Sequence, residues 1–306
     1  MQLKKGKLDL VLITPARNEA AFIEGTIKSV IAQTVKPKRW VIVSDGSTDA
    51  TDSIVEKYTA KYNWIELVRR PPHKDRQFAA KVFSFNAGYD KVKHLQYDLI
   101  ANLDADITFE PAYFEFLTDQ FIHDNNLGVC GTPFMEDGKL VYSHGYIDQN
   151  HVSGACQIFR KECFEQIGGY TPIKGGGIDW AAVTSARMMG WRTWTFTEKV
   201  FHHHRKMGTG NGSFIMSRFR HGFKDYYLGG HPLWQLLRGV FQMRHKPYIL
   251  GGALLMLGYA HGFVWRIKRP LSKELINFHR AEQMERMSAI VKKMFKRRKA
   301  NIKSNI

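Results

Sequence analysis

A chain of 306 residues, 44% hydrophobic and 24% charged, is long enough to bury a sizeable core and too ordinary in composition to be disordered throughout. It reads as one large α/β domain with an appendage, or as two modest domains. Its 45 basic and 28 acidic side chains leave a formal charge of +17, with thirteen basic against three acidic residues from Arg266 to Ile306; an even basic coat would suit nucleic acid, whereas a basic tail beside an apolar segment suits an anionic membrane surface.

The first residues, Met-Gln-Leu-Lys-Lys-Gly-Lys, have no apolar signal-peptide core. Leu8–Thr14 is then a short apolar run stopped by Pro15, and Asn18-Glu19 opens a helical pattern with Phe22, Ile23, Ile27, Val30 and Ile31 on one face. Arg39–Ser44 predicts a second strand, and Asp45-Gly-Ser-Thr-Asp49 a turn before a helix carrying Ile54, Val55 and Tyr58. Trp64–Arg69 predicts a third strand, Phe78–Tyr89 a helix after a polar loop, and Leu99–Leu103 a fourth, wholly buried strand that breaks into Asp104-Ala-Asp106. This alternation implies a parallel, doubly wound sheet with right-handed crossovers, whose ligands sit outside the carboxyl ends of the strands. Glu19, Asp45, Asp104 and Asp106 each follow a strand, so they gather at one rim. Two carboxylates two residues apart suit a hard cation, Mg²⁺ or Mn²⁺, which in turn holds a diphosphate; taken singly, each also reads as a turn former or a first-turn carboxylate.

Further on, Pro111–Phe121 predicts a helix, Gly128–Thr132 a strand, Glu136–Asn150 a turn-rich, aromatic-bearing stretch, and Ala155–Phe159 another strand. Lys161–Ile167 is a short helix closed by Gly168-Gly169. The three cysteines, Cys130, Cys156 and Cys163, form no CxxC pair and are expected as buried thiols in a reducing compartment. Gly175-Gly-Gly-Ile-Asp179-Trp180 joins a mobile backbone to an aspartate at a helix start, which alone would be a plain cap, with Trp180 beside it. Trp191–Phe196 is a late strand leading to Phe201-His-His-His-Arg205. Neighbours in an extended chain point to opposite sides, so one ion does not take all three imidazoles. Met207–Gly212 is a glycine-rich candidate lid, with Arg205, Lys206 and Arg218 as cations for a bound diphosphate.

Tyr248–Trp265 carries no formal charge apart from His261 and is at the lower length limit for a membrane span. Arg238, Arg244 and Lys246 precede it, and Arg266, Lys268 and Arg269 follow, so a peripheral or monotopic helix lying in one leaflet is expected in preference to a span; a buried helix or a dimer contact is the alternative. Leu275, Phe278, Met284, Met287, Ile290 and Val291 suggest an amphipathic helix before the basic run Lys292–Lys299.

Thr14-Pro-Ala-Arg-Asn-Glu19, Val43-Ser-Asp-Gly-Ser-Thr-Asp49 and Asn102-Leu-Asp-Ala-Asp106 recur in an order and spacing that resemble the inverting GT-A glycosyltransferases of family two. The likeness continues through Gly154-Ala-Cys-Gln-Ile-Phe-Arg160, Ile167-Gly-Gly-Tyr170 and Gly177-Ile-Asp-Trp180. It implies an α/β GT-A fold, Rossmann-like with a doubly wound mixed sheet, over residues 1–230, and leaves residues 231–306 as a helical, basic, membrane-associating extension. The resemblance further implies that Pro15, Ala16, Glu19 and Asp45 line the nucleotide pocket, that Lys81 reaches the nucleotide or its phosphates, and that Asp104 serves the ribose and diphosphate. Asp106 would bind Mn²⁺ or Mg²⁺ with His204, or with His202 as the alternate, while Asp179 would be the general base and Trp180 an acceptor-side residue. The implied reaction is inverting transfer from a nucleotide-sugar donor, UDP-linked by preference, to an acceptor hydroxyl. The acceptor expected is a glycan on isoprenoid phosphate, met at the cytoplasmic side of the membrane through residues 247–306, with no nucleic-acid partner. Residues 215–285 resemble, more softly, the tails of bacterial envelope-polysaccharide glycosyltransferases. The rivals are a nucleotidyltransferase, whose glycine-rich basic triphosphate loop is missing from residues 10–20, and a non-catalytic basic module for membranes or nucleic acid.

Overall fold

A computed structural model describes residues 6–72, 78–141, 149–205, 214–246 and 248–303. The chain divides into two compact units, Met1–Gly208 and Thr209–Ile306.

In the first unit β1 (Leu10–Ala16), α1 (Ile23–Ile31), β2 (Arg39–Asp45), α2 (Thr51–Thr59), β3 (Ile65–Arg70), α3 (Phe78–Val92) and β4 (Leu99–Leu103) alternate as the periodicity predicts. Leu10, Leu12, Ile13, Leu99, Ile100, Ala101 and Leu103 are all buried, which is why β1 and β4 read as continuous apolar runs. Pro15 does not end β1: the strand runs on to Ala16 and sets Pro15 opposite Val43 of β2. The β4 partner already stops at the Ile13 and Asn102 pair, so the residue lacking an N–H sits where β1 has lost one neighbour. Helix α1 begins at Ile23, not at Asn18-Glu19, because the intervening loop is tied to the turn after β2. Asn18 takes a positive φ of 55°, Glu19 N–H donates to Thr51 Oγ1 at 2.7 Å, and Asn18 Oδ1 accepts from Thr48 N–H at 2.8 Å.

The chain continues through β5 (Ile107–Thr108), α4 (Tyr113–His123), β6 (Leu127–Gly131), β7 (Phe134–Glu136), β8 (Lys139–Val141), β9 (Cys156–Arg160), α5 (Lys161–Gln166), α6 (Ile178–Met188), β10 (Arg192–Thr195) and β11 (Phe201–His203). The main sheet has seven strands in the order β10-β6-β9-β4-β1-β2-β3. Strand β9 is antiparallel to both β4 and β6, so the sheet is mixed and not parallel throughout. Having passed the carboxyl rim, the chain re-enters the sheet from that rim, and Asp104 N–H donates to Ala155 O at 2.8 Å. Gly154 is thereby placed beside the Asp104-Ala-Asp106 corner. A second, four-stranded sheet, β5-β11-β7-β8, has strands too short to show any sequence period.

The second unit contains α7 (Phe214–Tyr227), α8 (Pro232–Gln242), α9 (Tyr248–Val264) and α10 (Lys273–Lys303). Helix α7 packs on α9, so this unit starts at Thr209 and not at residue 231. The helices meet at backbone distance. A Cβ added to Gly222 would fall 1.8 Å from Leu255 O, one on Gly258 2.0 Å from Phe219 O, and one on Gly252 2.2 Å from Gly239 O. The other side of α9 exposes Ile249, Leu250, Leu257 and Val264, and α8 exposes Leu233, Leu236 and Val240. Among the described residues no helix is long and apolar enough to cross a membrane.

Candidate active site

The carboxyl ends of β1, β2 and β4 open on a cleft of about 510 Å³, lined by Pro15, Ala16, Arg17, Asn18, Glu19, Asp45, Ala80, Lys81, Ser84, Asp104, Ala105, Asp106 and Arg205. Every nucleotide-side residue named from the sequence therefore lies on one surface. Arg70, which sequence reasoning missed, backs two of them without lining the cleft: it ends β3 directly opposite Asp45 in the strand register, pairs with Asp45 Oδ1, and donates to Ser84 Oγ at 2.8 Å. Only the β2–β3 register brings that guanidinium to Asp45, and register between strands is not written locally in either one.

Lys81, on the first turns of α3, places Nζ 2.5 Å from Asp104 Oδ1 and 3.5 Å from Gly154 O. Burial pulls the Lys81 ammonium down, but Asp104, Asp179 and Asp106 outweigh it and hold it above its ordinary value. Asn102 Nδ2 also donates to Gly154 O, at 2.7 Å. Asp179 stands in the first turn of α6, after Gly176 and Gly177 with φ of 79° and 93°, a left-handed bend that glycine makes without strain. Its side chain abuts Gly154, where an added Cβ would come 2.7 Å from Asp179 Cβ. Asp179 is not among the residues lining this cleft; it stands on the Lys81 and Gly154 side, with half-buried Trp180 next to it.

Burial, then the neighbouring Asp104, raise the Asp106 carboxyl above the usual range, while His203 and Arg205 oppose the shift. Glu19 is pushed up to about 7, chiefly by burial, with Asp106 and Asp104 adding to it and Arg205 working against it. The Arg205 guanidinium pairs with Glu19, places Nε 3.6 Å from Asp106 Oδ2, and lies over the Phe22 ring at 5.3 Å.

The histidine beside Asp106 is neither of the two expected. His203 Nε2 is 3.7 Å from Asp106 Oδ1, whereas the exposed His204 turns its Nε2 to Thr108 Oγ1 at 2.8 Å and gives only its main-chain N–H to Asp106 O. His202 is exposed as well. Alternation along the strand is obeyed, but buried Phe201 fixes which face points inward, and residue 203 shares it. That apolar anchor was the available signal. Lys206, the loop 207–212 and residues 142–148 of the turn-rich stretch lie outside the described residues, and Arg218 belongs to α7 of the second unit.

A divalent ion fits this corner. The His203 side chain is 7% exposed and its Nδ1 has no hydrogen-bond partner. Carboxylate with neutral imidazole is a donor set that Mn²⁺ accepts readily and Mg²⁺ tolerates. Among the described residues no three His, Cys, Asp or Glu side chains close on one point, so Asp106 and His203 would leave most of the coordination shell to donor oxygens and water.

Residues 11–154 match the family described as Glycosyl transferase family 2. The poly-beta-1,6-N-acetyl-D-glucosamine synthase of Staphylococcus aureus is 29% identical over 170 residues, 49% of this chain and 39% of the synthase. The chain covers 29% to 39% of the length of the curated relatives it matches. Two solved structures share the fold. The mannosyltransferase PcManGT from Pyrobaculum calidifontis, in complex with GDP-Man and Mn²⁺, aligns with a TM-score of 0.57 at 18% identity over 86% of this chain and 89% of that one. TarS 1–349 of S. aureus, in complex with UDP-GlcNAc, aligns at 0.55 and 16% identity over 89% and 79%.

Proposed function

Residues 11–154 form a Glycosyl transferase family 2 domain, and from that premise we propose that the chain transfers a sugar, with inversion, from a UDP-sugar to an acceptor hydroxyl. The observation that carries the reading is the single cleft in which Glu19, Asp45, Lys81, Asp104, Asp106 and Arg205 meet at the strand ends. Asp45 and Arg70 set a hydrogen-bond acceptor beside a donor, the pattern that meets the imide N–H and an adjacent carbonyl of uracil. Asp104 orients the ribose and diphosphate, and Lys81 and Arg205 offset the phosphate charge. A divalent ion held by Asp106 and His203 supplies further charge neutralisation to the diphosphate when bound. Asp179, across Lys81 from the donor corner, takes the acceptor proton as the hydroxyl attacks from the face opposite the leaving nucleotide, a contribution of about 10²- to 10⁴-fold.

The acceptor in this proposal is a glycan on isoprenoid phosphate, reached at the cytoplasmic face of a membrane. The synthase relative, by its name, makes a polysaccharide. The exposed apolar faces of α8 and α9 adjoin a stretch, residues 226–273, with no acidic side chain and seven lysines and arginines, a combination that favours an anionic leaflet.

The test is a panel of UDP- and GDP-sugars with soluble and lipid-linked acceptors in Mn²⁺, read by nucleotide release and by the anomeric configuration of the product. Release of UDP with an inverted product supports the proposal; a retained configuration, or turnover only with GDP-sugars, rejects it. Flotation with phosphatidylglycerol-containing vesicles, compared with pure phosphatidylcholine, tests the membrane part separately.

A further inference from the structure

His203 is held between two carboxylates by the small sheet. Strand β11 runs antiparallel to β5, setting His203 opposite Ile107 and so beside Asp106. It runs parallel to β7, with Phe201 opposite Phe134 and His202 opposite Met135, so the next step along both strands brings His203 to Glu136. The ring nitrogens divide accordingly: Nε2 lies 3.7 Å from Asp106 Oδ1 and Nδ1 lies 3.6 Å from Glu136 Oε2. The imidazole is further confined by the Phe134 ring, with centroids 5.6 Å apart. Its side chain is 7% exposed and that of Glu136 17%.

We propose that Glu136 is a positioning residue, which accepts the Nδ1–H of His203 and thereby leaves the Nε2 lone pair facing the cation corner beside Asp106. An imidazole binds a metal ion through a nitrogen that carries no proton, so the proton must reside on the other nitrogen, and an acceptor there fixes both tautomer and ring direction. Nδ1 makes no hydrogen bond at this separation, and its 3.6 Å to Glu136 Oε2 is a few tenths of an ångström longer than such a bond. The assignment rests on the reading of Asp106 and His203 as metal ligands, and it adds a residue two strands away in space and thirty positions away in sequence from the Asp104-Ala-Asp106 corner.

The experiment measures Mn²⁺ affinity in the presence of UDP by the electron paramagnetic resonance signal of free Mn²⁺, for the wild-type chain and for Glu136→Leu, Glu136→Gln and His203→Ala. Loss of such an outer partner typically weakens metal binding about 10- to 100-fold, and that is the expectation for Glu136→Leu. Glu136→Gln, which keeps a carbonyl acceptor, should recover most of the affinity, a rescue that a purely structural defect would not follow. Electron spin-echo modulation of bound Mn²⁺ should show an imidazole nitrogen in the wild type and in Glu136→Gln, and none in His203→Ala. Should Glu136→Leu fail to fold, ¹⁵N shifts of His203 in the wild-type complex with Mg²⁺ and UDP decide the matter: a proton on Nδ1 supports the proposal and a proton on Nε2 overturns it. Wild-type binding with an unchanged Glu136→Leu affinity overturns the role of Glu136 alone. Absence of Mn²⁺ binding in the wild type overturns the metal reading and this proposal with it.

Discussion

Lys81 bonds Asp104 at 2.5 Å with the same ammonium that lies 3.5 Å from Gly154 O, the carbonyl of the residue packed against Asp179. One cation thus links the Asp104 corner to the proposed base. Lys81→Met should weaken UDP binding about tenfold, the scale of one charge-assisted hydrogen bond, in a calorimetric titration. The side chains are 37% and 26% exposed, so the unfolding midpoint should move little. An unchanged UDP affinity would remove Lys81 from the donor site.

Asp106 and Asp104 should separate in role. Asp106→Asn is expected to abolish metal-dependent turnover, and Asp104→Asn to raise the donor KM as well as lower kcat. Equal, mild effects at both positions in a steady-state comparison would mean that the corner is only a turn.

Asp179→Asn should reduce transfer by about 10²- to 10⁴-fold while leaving UDP affinity intact. Gly154→Ala offers an indirect version of the same test. Its new Cβ would meet Asp179 Cβ at 2.7 Å and Oδ2 at 2.8 Å, so the base must shift, and kcat should fall with donor KM held. Full transfer activity in Asp179→Asn would end the base assignment.

Glu19 makes stability depend on pH. Its folded value, about 7, exceeds the ordinary 4.5, so the folded state keeps a proton that the unfolded chain has already lost. Stability from this group is fully present below pH 4.5 and is lost as pH rises through 7. The total reaches about 3 kcal/mol at most. In urea unfolding at a series of pH values, Glu19→Gln should flatten the wild-type decline across this window; parallel curves for the two proteins would refute the shift.

In the second unit, Gly258→Ala should cost about 1–3 kcal/mol, the range for forcing extra atoms into a packed contact, since the added carbon would fall 2.0 Å from Phe219 O. Thermal unfolding of the full chain measures it. Leu257→Ser, one residue earlier on an exposed face, should leave that transition in place.

Much of this was legible because β1, β2 and β4 carry their burial in their own composition: Leu99–Leu103 is buried at every position and reads so from the residues. The common rim of Glu19, Asp45, Asp104 and Asp106 followed from strand and helix alternation alone. What escaped depends on which strand lies beside which. Arg70 reaches Asp45 only through the β2–β3 register, and β9 turns antiparallel because the chain returns from the ligand rim. The family pattern points to His204, with His202 as the alternate, and a three-residue strand shows alternation without showing its sign. Phe201, buried on the inner face, carried that sign.

The glycine contacts of α9 have a consequence for how its unit can change over time. Where helices are joined by main chain against main chain, as at Gly258 and Phe219, the fit depends on the absence of side chains on one side of the helix. Ile249, Leu250, Leu257 and Val264, exposed on the other side, are under little obligation to the fold. Substitution there can change the surface that α9 presents, residue by residue, while the architecture beneath stays as it is.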